Sequence, residues 1–307
     1  MSRLALLAGP LLVLPACIVA NPFAALDTGD SATDTEADAT SATSTTSTSD
    51  ATADESESES GPKLDTPSSE TDTGEGCVET IDVVFVMDVS TTMGEFFDVL
   101  EQELTAVRTV LDSYDLPVPP RYGLVVFVDD YTFVNAGASY ADIEVLAADF
   151  AYWNEFTASN QQTMAATSNS TWPENSLDAL FAAATEFEWR PRDATLRMVV
   201  HTTDDTFWNG PTTGNGITIE RSYAETVDAL RAGEIRMYTF AAALGGPMGD
   251  LDVAMGFFTD FEGQAPIPDQ TGGRAYDIDA VLAGTTSIAD QLDAAIADSY
   301  CEAYPVG

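Results

Sequence analysis

Residues 81–93 read IDVVFVM followed by DVSTTM, and they give the clearest indication of the fold. The first part, Ile81–Met87, is an almost continuous run of branched and aromatic apolar residues, which is typical of a strand buried on both faces of a parallel sheet. The run ends at Asp88. Apolar residues then recur at a spacing of three and four between Phe96 and Leu111, which predicts one buried helix face. The stretch therefore predicts a buried strand, a loop rich in oxygen-bearing side chains, and a helix.

The same alternation of strand and helix continues along the chain. Further strands are predicted at Tyr122–Val128, Met198–His201, Met237–Ala241 and Ala275–Ile278, and further helices at Val145–Phe156, Ser176–Phe187, Tyr223–Leu230 and Ile288–Ser299. Such alternation predicts an α/β fold, doubly wound, with a mostly parallel central sheet and helices on both faces. In sheets of this kind, ligands bind beyond the carboxyl ends of the strands.

Oxygen-rich loops follow two of these predicted strands and precede one helix. They are Asp88–Met93, Thr203–Asp205 and Ser170–Asn175. Carboxylates and hydroxyls without His or Cys are hard donors, which suit Mg²⁺, Mn²⁺ or Ca²⁺ and suit zinc or copper poorly. Because the strand ends meet at one edge of the sheet, the three loops predict a site for a hard divalent cation, with Mg²⁺ as our first choice.

The first of these loops carries a family resemblance. Asp88-Val89-Ser90-Thr91-Thr92 resembles the Asp-x-Ser-x-Ser signature of von Willebrand factor type A domains, with a Thr in the last hydroxyl position. In that family the signature forms a metal-ion-dependent adhesion site. The resemblance implies that Asp88, Ser90 and Thr92 hold the metal directly or through water. Asp204 matches the Asp of the family's strand-ending Thr-Asp motif.

The third loop departs from the commonest form of the family, in which a Thr in a Gly-rich turn binds the metal. Thr171-Trp172-Pro173-Glu174 is more similar to the Asp-x-Pro-Glu loop of integrin β-type domains, in which the Glu reaches the metal. We therefore expect Glu174 as the ligand, with Thr171 as the alternative. The resemblance spans about Cys77 to Cys301, includes Thr271-Gly272-Gly273, and implies a Rossmann-like fold for a domain at 77–307.

Each of these residues also has an ordinary structural explanation. Asp88 and Ser90 could cap the helix that follows them, and Asp204-Asp205 could be a solvated turn. A second, calcium site formed by Glu95, Asp129 and Asp130 is a weaker hypothesis, because acidic loop residues are common in this chain. The lone His201 is expected to be a packed or rim residue, since neither His nor Cys lies near it in the sequence.

The N-terminal residues predict export. Residues 1–16 combine Arg3 with an apolar run that is short for a membrane-spanning helix but suits a secretory signal. Leu14-Pro15-Ala16-Cys17 resembles a bacterial lipobox, whose Cys is acylated, so we predict lipidation at Cys17 and a place in the cell envelope, with the outer membrane or cell surface favoured. The alternative is ordinary cleavage near Ala16 or Ala20.

The segment 17–76 is predicted to be a lipid-anchored, disordered linker. From Asp27 to Gly76 it holds 22 Ser or Thr and 14 Asp or Glu, with almost no large apolar residue, so it cannot bury enough surface to offset ordering entropy. The two remaining cysteines, Cys77 and Cys301, are expected to form a disulfide in an oxidising compartment. The alternative is two unrelated buried thiols.

Charge and missing motifs limit the function. The chain has 51 acidic and 11 basic residues, a net charge of -40, which argues against any partner held through phosphate contacts, nucleic acid included. The chain has no Gly-x-Ser-x-Gly elbow, and Lys63 is its only lysine, so we do not expect an enzyme. The resemblance implies a binding or adhesion module whose metal accepts an acidic residue of a protein ligand. The alternatives are a surface-assembly protein with a loop-stabilising metal and, less favoured, a metal-dependent hydrolase. Residues 244–268 are a candidate specificity loop.

Overall fold

The computed structural model describes residues 77–170, 172–243 and 252–305. The predicted signal peptide, Cys17 and the linker lie outside the described residues. So do Thr171 and the first part of the candidate specificity loop, residues 244–251.

Strands and helices are interspersed along the described chain, although some strands and some helices follow one another directly. The strands are β1 (Thr80–Asp88), β2 (Arg121–Phe127), β3 (Tyr131–Phe133), β4 (Thr195–Thr203), β5 (Thr212–Gly214), β6 (Ile217–Ile219), β7 (Ile235–Ala241) and β8 (Arg274–Asp277). The helices are α1 (Gly94–Ser113), α2 (Ile143–Thr157), α3 (Ser176–Glu186), α4 (Tyr223–Ala232), α5 (Ile267–Gln270), α6 (Ile278–Leu282) and α7 (Ile288–Ser299). The protein therefore has an α/β fold.

Six strands form a mixed sheet in the order β3-β2-β1-β4-β7-β8, and β5 pairs with β6 in a separate hairpin. All neighbours in the large sheet are parallel except β2 and β3, which are antiparallel. The exception follows from chain length: only residues 128–130 connect β2 to β3, and a parallel crossover needs a dozen or more residues. The prediction of a mostly parallel sheet is confirmed, with an antiparallel edge strand that the sequence did not indicate.

The chain order reverses between β1 and β4, which lie side by side in the middle of the sheet. Asp88 at the end of β1 is opposite Phe127 of β2, and Met87 is opposite Thr202 of β4. The carboxyl ends of these strands are therefore level with one another. The crevice at such a reversal point is where open α/β sheets bind ligands, and the loops after β1 and β4 open into it.

The sheet separates two apolar cores. Alternate residues of β1 point to opposite faces: Phe85 and Met87 join the core beneath α1, α2 and α7, while Val84 and Val86 join the core beneath α3 and α4. Because both faces of the sheet are covered, β1 has apolar residues at the successive positions Val83–Met87. Within residues 252–268, Phe257 and Phe261 belong to the second of these cores, which assigns packing to that part of the candidate specificity loop.

The amino ends of the strands are closed by a buried ion pair. Asp82 of β1 is 1 % exposed, and its Oδ1 accepts a hydrogen bond from Arg190 Nε at 2.7 Å. The same guanidinium donates to the carbonyl oxygens of Ile81 and Pro119 at 2.8 and 2.9 Å. Each charge is thus neutralised and hydrogen-bonded, as a buried pair requires.

A disulfide joins Cys77 and Cys301, which confirms the predicted pairing. It links the residue just before β1 to the chain just after α7, where Val78 N also donates to Tyr300 O at 3.1 Å. The two ends of the folded region are therefore fastened together. Across the described residues, no helix has the length and apolar character needed to span a bilayer.

Candidate metal centre

Asp88 lies at the reversal point and ties the two central strands together. Its side chain is completely buried. One carboxylate oxygen, Oδ1, accepts a hydrogen bond from Ser90 N at 2.7 Å, and Oδ2 accepts one from Thr203 Oγ1 at 2.7 Å. Thr203 is the last residue of β4, and its Oγ1 also accepts a hydrogen bond from Asp205 N at 3.1 Å. The loops after β1 and β4 are thus connected through one carboxylate.

A second connection joins the same two loops on the solvent side. Thr92 Oγ1 donates to Asp204 Oδ1 at 2.9 Å, although the two residues are 112 positions apart in the chain. Ser90 Oγ lies 3.3 Å from Thr92 Oγ1. Thr92 is exposed, whereas Ser90 is buried, so the oxygen cluster reaches the surface on one side. The structure therefore brings Asp88, Ser90, Thr92 and Asp204 together.

The third loop is held between β2 and the loop after β4. Glu174 N donates to Thr206 O at 3.0 Å, and Asn175 N donates to Val128 O at 2.7 Å. These bonds bury the Glu174 side chain to 2 % exposure. Its Oε1 accepts a hydrogen bond from Asn169 Nδ2 at 2.9 Å, while its Oε2 has no partner among the described residues. A buried carboxylate oxygen without a donor is costly, and a cation would satisfy it.

The cluster carries several acidic groups that destabilise one another's charges. Burial, together with the charge of Asp204, raises the pKa of Asp88 to about 7. Burial and the charges of Asp88 and Asp204 raise the pKa of Asp205 to about 8. Burial and the charge of Asp88 hold the pKa of Glu174 well above its usual range, and burial also raises the pKa of Asp204. Such a cluster favours binding either protons or a cation.

Positive side chains do not neutralise this cluster within the described residues. The ion pairs there lie elsewhere and involve Arg108, Arg190, Arg192, Arg221 and Arg274. The donors around Asp88 are a backbone N–H and a hydroxyl, which orient the carboxylate without adding a formal charge. No described side-chain cation therefore balances a deprotonated carboxyl of this cluster, so a proton or a metal ion would have to do so.

The donors suit a hard cation, because all are oxygens and none is a sulfur or an imidazole. The carboxylates are not gathered into a cage: within the described residues, no three Asp, Glu, His or Cys side chains are grouped so that they could hold a metal. Hydroxyls from Ser90 and Thr92 would have to supply part of the coordination. The unpartnered Glu174 Oε2 and the raised pKa of Glu174, which follows from burial and the neighbouring Asp88, are the observations that fit a metal here.

The contacts of Ser90, Asp88 and the Asp204-Asp205 pair differ from those of a helix cap or a solvated turn. Ser90 precedes a short 3-10 turn, Thr91–Met93, but its side chain makes no capping hydrogen bond. Asp88 accepts only one backbone N–H, from Ser90, and its other oxygen faces Thr203. Asp204 and Asp205 are half-buried instead of fully solvated. Helix capping and turn solvation therefore explain little of this arrangement.

Asp129 and Asp130 hold a loop in place. Asp130 accepts hydrogen bonds from Thr163 N at 2.6 Å and from Met164 N at 2.9 Å. Asp129, which is fully buried, accepts one from Gln162 Nε2 at 2.6 Å. Glu95 is exposed in the first turn of α1. These contacts give the two aspartates a part in fixing the 160–169 loop, and the second calcium site stays a prediction.

His201 is a packed residue, as expected. Its ring is completely buried and stacked on Phe127 at a centroid distance of 5.7 Å, and its Nδ1 lies 2.8 Å from Thr239 Oγ1. Burial lowers the pKa of His201 to about 3, so the ring is neutral at physiological pH. The imidazole belongs to the core and does not face the oxygen cluster's solvent side.

Two further positions contact the predicted ligands. Thr203 belongs to an oxygen-rich loop that the sequence indicates, although it is not among the predicted ligands, and its hydroxyl holds Asp88. Asn169 carries no such signal, since its contact with Glu174 depends on how the 160–169 loop folds back. Comparison with the models of known protein families gives no match to this chain, and comparison with curated proteins gives none either.

Proposed function

We propose that the protein is a divalent-cation-dependent binding module with the Rossmann-like fold of von Willebrand factor type A domains. The strand order and the reversal between β1 and β4 support this fold. The observation that carries the functional proposal is the contact between Thr92 Oγ1 and Asp204 Oδ1, which unites the two loops that the family resemblance identifies.

Asp88, Ser90, Thr92, Asp204 and Glu174 would hold the ion, with Thr171 as the alternative to Glu174. When bound, Mg²⁺, or Mn²⁺ or Ca²⁺ in its place, supplies a positive centre that accepts an oxygen ligand. The chain's own residues hold their oxygens at the rim of the sheet and leave the Thr92 side accessible. An acidic residue of a protein partner would complete the coordination there.

A loop-stabilising metal is the second candidate. It is favoured by one observation, that Asp88 and Asp204 already connect the loops after β1 and β4 through hydrogen bonds. A cation at this point would strengthen that connection whether or not a partner binds. Catalysis is not part of our proposal: the only His in the chain is packed in the core, and the contacts described here do not form a nucleophile–base pair.

We also propose a place for the module. Acylation of Cys17 would anchor the chain to a membrane of the bacterial cell envelope, and residues 17–76 would act as a linker between the anchor and the folded region. The Cys77–Cys301 disulfide is consistent with an oxidising compartment. No nucleic-acid partner is proposed, because the net charge of -40 opposes phosphate contacts.

The test is a thermal-shift titration of the purified protein with MgCl₂ and MnCl₂ against EDTA. At a concentration about 100 times the Kd, a ligand stabilises by about 2.7 kcal/mol, which raises the Tm of a domain of this size by about 5–10 °C. Asp88→Asn and Asp204→Asn should abolish the increase. Asp228→Asn, on the exposed face of α4, is the matched control and should retain it.

A second experiment separates the candidates. A pull-down from the native cell envelope should release a partner when EDTA is added. A thermal shift without any EDTA-released partner would favour the loop-stabilising metal. Hydrolysis of a phosphate ester that is lost in Asp88→Asn would favour a hydrolase, and the absence of any shift with every divalent cation would eliminate the metal site.

A further inference from the structure

A cavity of about 460 Å³ lies beside the edge strand of the sheet. None of the residues proposed to hold the metal lines it, although Asn175, the neighbour of Glu174 in the chain, does. Its apolar wall consists of Tyr131 and Phe133 of β3, Met164 of the 160–169 loop, and Ile217 of β6. The two aromatic rings lie edge to face, with centroids 6.3 Å apart. Met164 is 76 % exposed, so the mouth is open to solvent. A cavity of this size and lining is typical of a small-molecule site.

Acidic residues surround this apolar wall. Asp130 and Asp178 line the cavity itself. A smaller cleft of about 180 Å³ shares Tyr131 and Asp178 with it and adds Glu186 and Glu220. Burial raises the pKa of the Tyr131 phenol, and the charges of Glu186, Asp178 and Glu220 raise it further, so these carboxylates act on the aromatic wall. Arg221, which also lines the smaller cleft, lowers this pKa, so the cavity is apolar and carries an excess of negative over positive charge.

The two carboxylates in the wall are held by neutral donors. Asp130 accepts backbone hydrogen bonds from residues 163 and 164 at 2.6 and 2.9 Å, and Asp178 accepts them from residues 220 and 221 at distances of 2.7 to 3.2 Å. The one guanidinium nearby, of Arg221, lies 4.1 Å from the centre of the Phe181 ring and 3.5 Å from Glu220. Asp130 and Asp178 thus have hydrogen-bond donors, whereas the acidic side chains around the cavity outnumber the basic ones.

We propose that this cavity binds an alkylammonium ion, and a quaternary one in preference to a primary one. Aromatic faces attract such cations, and the surrounding carboxylates add to the attraction. A quaternary ammonium has no N–H to donate, so it matches carboxylates whose hydrogen bonds are already made by backbone groups. The apolar side chains of Met164 and Ile217 accommodate its methyl groups, and the negative chain attracts cations from a distance.

The experiment is isothermal titration of the full-length protein at constant MgCl₂ with three probes. Choline is the quaternary ammonium, a lysine tripeptide with blocked ends is a primary ammonium carried by a peptide, and 3,3-dimethylbutan-1-ol is the uncharged isostere of choline. We expect choline to bind with saturation and the alcohol to show none. If the lysine peptide binds at least as tightly as choline, the proposed preference for a quaternary ammonium is wrong. The ligand would then be a primary ammonium carried by a peptide.

Variants locate the binding. Tyr131→Leu should weaken choline binding about fivefold, the equivalent of about 1 kcal/mol for one lost cation–aromatic contact. Tyr152→Leu, at an exposed tyrosine of α2, is the aromatic control and should change nothing. Because Tyr131 is partly buried, Glu220→Gln provides a surface variant that should also weaken binding. Asp88→Asn should bind choline normally, which separates this cavity from the metal centre.

The proposal is overturned by any of three results. The first is that neither cation saturates. The second is that the uncharged alcohol binds as tightly as choline, which would show that charge has no part in recognition. The third is that Tyr131→Leu and Glu220→Gln, both folded by circular dichroism, weaken binding no more than Tyr152→Leu does.

Discussion

The buried acids at the end of β1 predict an unusual dependence of stability on pH. The pKa of Asp88 is raised from 3.8 to about 7 in the folded protein. The folded protein therefore binds this proton more tightly than the unfolded chain does, and stability falls as the pH rises from about 4 toward 7. Asp205, whose pKa is raised to about 8, extends the fall to slightly higher pH. The decline applies to protein that is free of divalent cations.

The size of the effect follows from the shift. A difference of about three pKa units at 1.36 kcal/mol each gives roughly 4 kcal/mol as the upper value for Asp88, which is completely buried. About two of these three units are traversed between pH 5 and 8, roughly 2.7 kcal/mol, which for a domain of this size corresponds to a fall in Tm of about 5–11 °C. Asp205, Glu174 and Asp204 of the same cluster also have raised pKa values and would add to the decline. Ordinary carboxylates are already ionised above pH 5, and the one His of the chain has a pKa of about 3.

Differential scanning calorimetry in EDTA between pH 5 and 8 measures this decline. With saturating MgCl₂ the decline should disappear, since a metal binds the deprotonated carboxylates and its affinity rises with pH. Asp88→Asn should have a flatter profile in EDTA, while Asp228→Asn should keep the wild-type slope. A Tm in EDTA that stays constant or rises from pH 5 to 8 would refute the raised pKa values assigned to these acids.

Three further changes test individual contacts. Glu174→Gln should lower the affinity for Mg²⁺ by about tenfold or more, since even residues that only contact a metal ligand change the affinity on this scale. Thr171→Val should change the affinity little. Calorimetric titration of both variants would show the reverse order if Thr171 were the ligand. Replacing Cys77 and Cys301 by Ser should lower the free energy of unfolding by up to about 5 kcal/mol in urea, since the disulfide closes a long loop; an unchanged midpoint would contradict this. Arg190→Met should lower the free energy of unfolding by about 3–5 kcal/mol, because the buried Asp82 loses its counter-charge. It should leave the Mg²⁺ titration unaltered.

The elements that the sequence predicts well are those whose burial is visible in the residue pattern. The last helix is a clear case, because α7 has the predicted bounds, Ile288–Ser299. The central strand β1 extends only one residue beyond the predicted Ile81–Met87 run on either side. The helix buries one face and so has a helical period of apolar residues, whereas the strand is buried on both faces and so is a continuous apolar run.

The strands that the sequence did not predict are short, and their conformation depends on pairing with neighbouring strands. Strand β3 and the hairpin strands β5 and β6 have three residues each, too few for a period to be recognised. Tyr131–Phe133 forms a strand because it pairs with β2, a contact that the local sequence does not encode. The cavity depends on these same elements, so sequence reasoning had no means of finding it. The loops of the metal centre, by contrast, follow long strands whose ends could be placed in advance.

The charge of the chain explains why a metal would be needed to bind an acidic partner at all. A protein with a net charge of -40 repels carboxylates over the distance that salt leaves unscreened, about one Debye length. At the rim of the sheet, deprotonation of Asp88, Glu174, Asp204 and Asp205 would add to this repulsion, because burial and the neighbouring carboxyls already raise their pKa values. A divalent cation would replace those protons and reverse the sign of the field within about one Debye length of the rim, while the rest of the surface stays negative. The same field that makes the apo rim unattractive to an acid would attract the cation, so metal loading and partner binding would be coupled through charge alone.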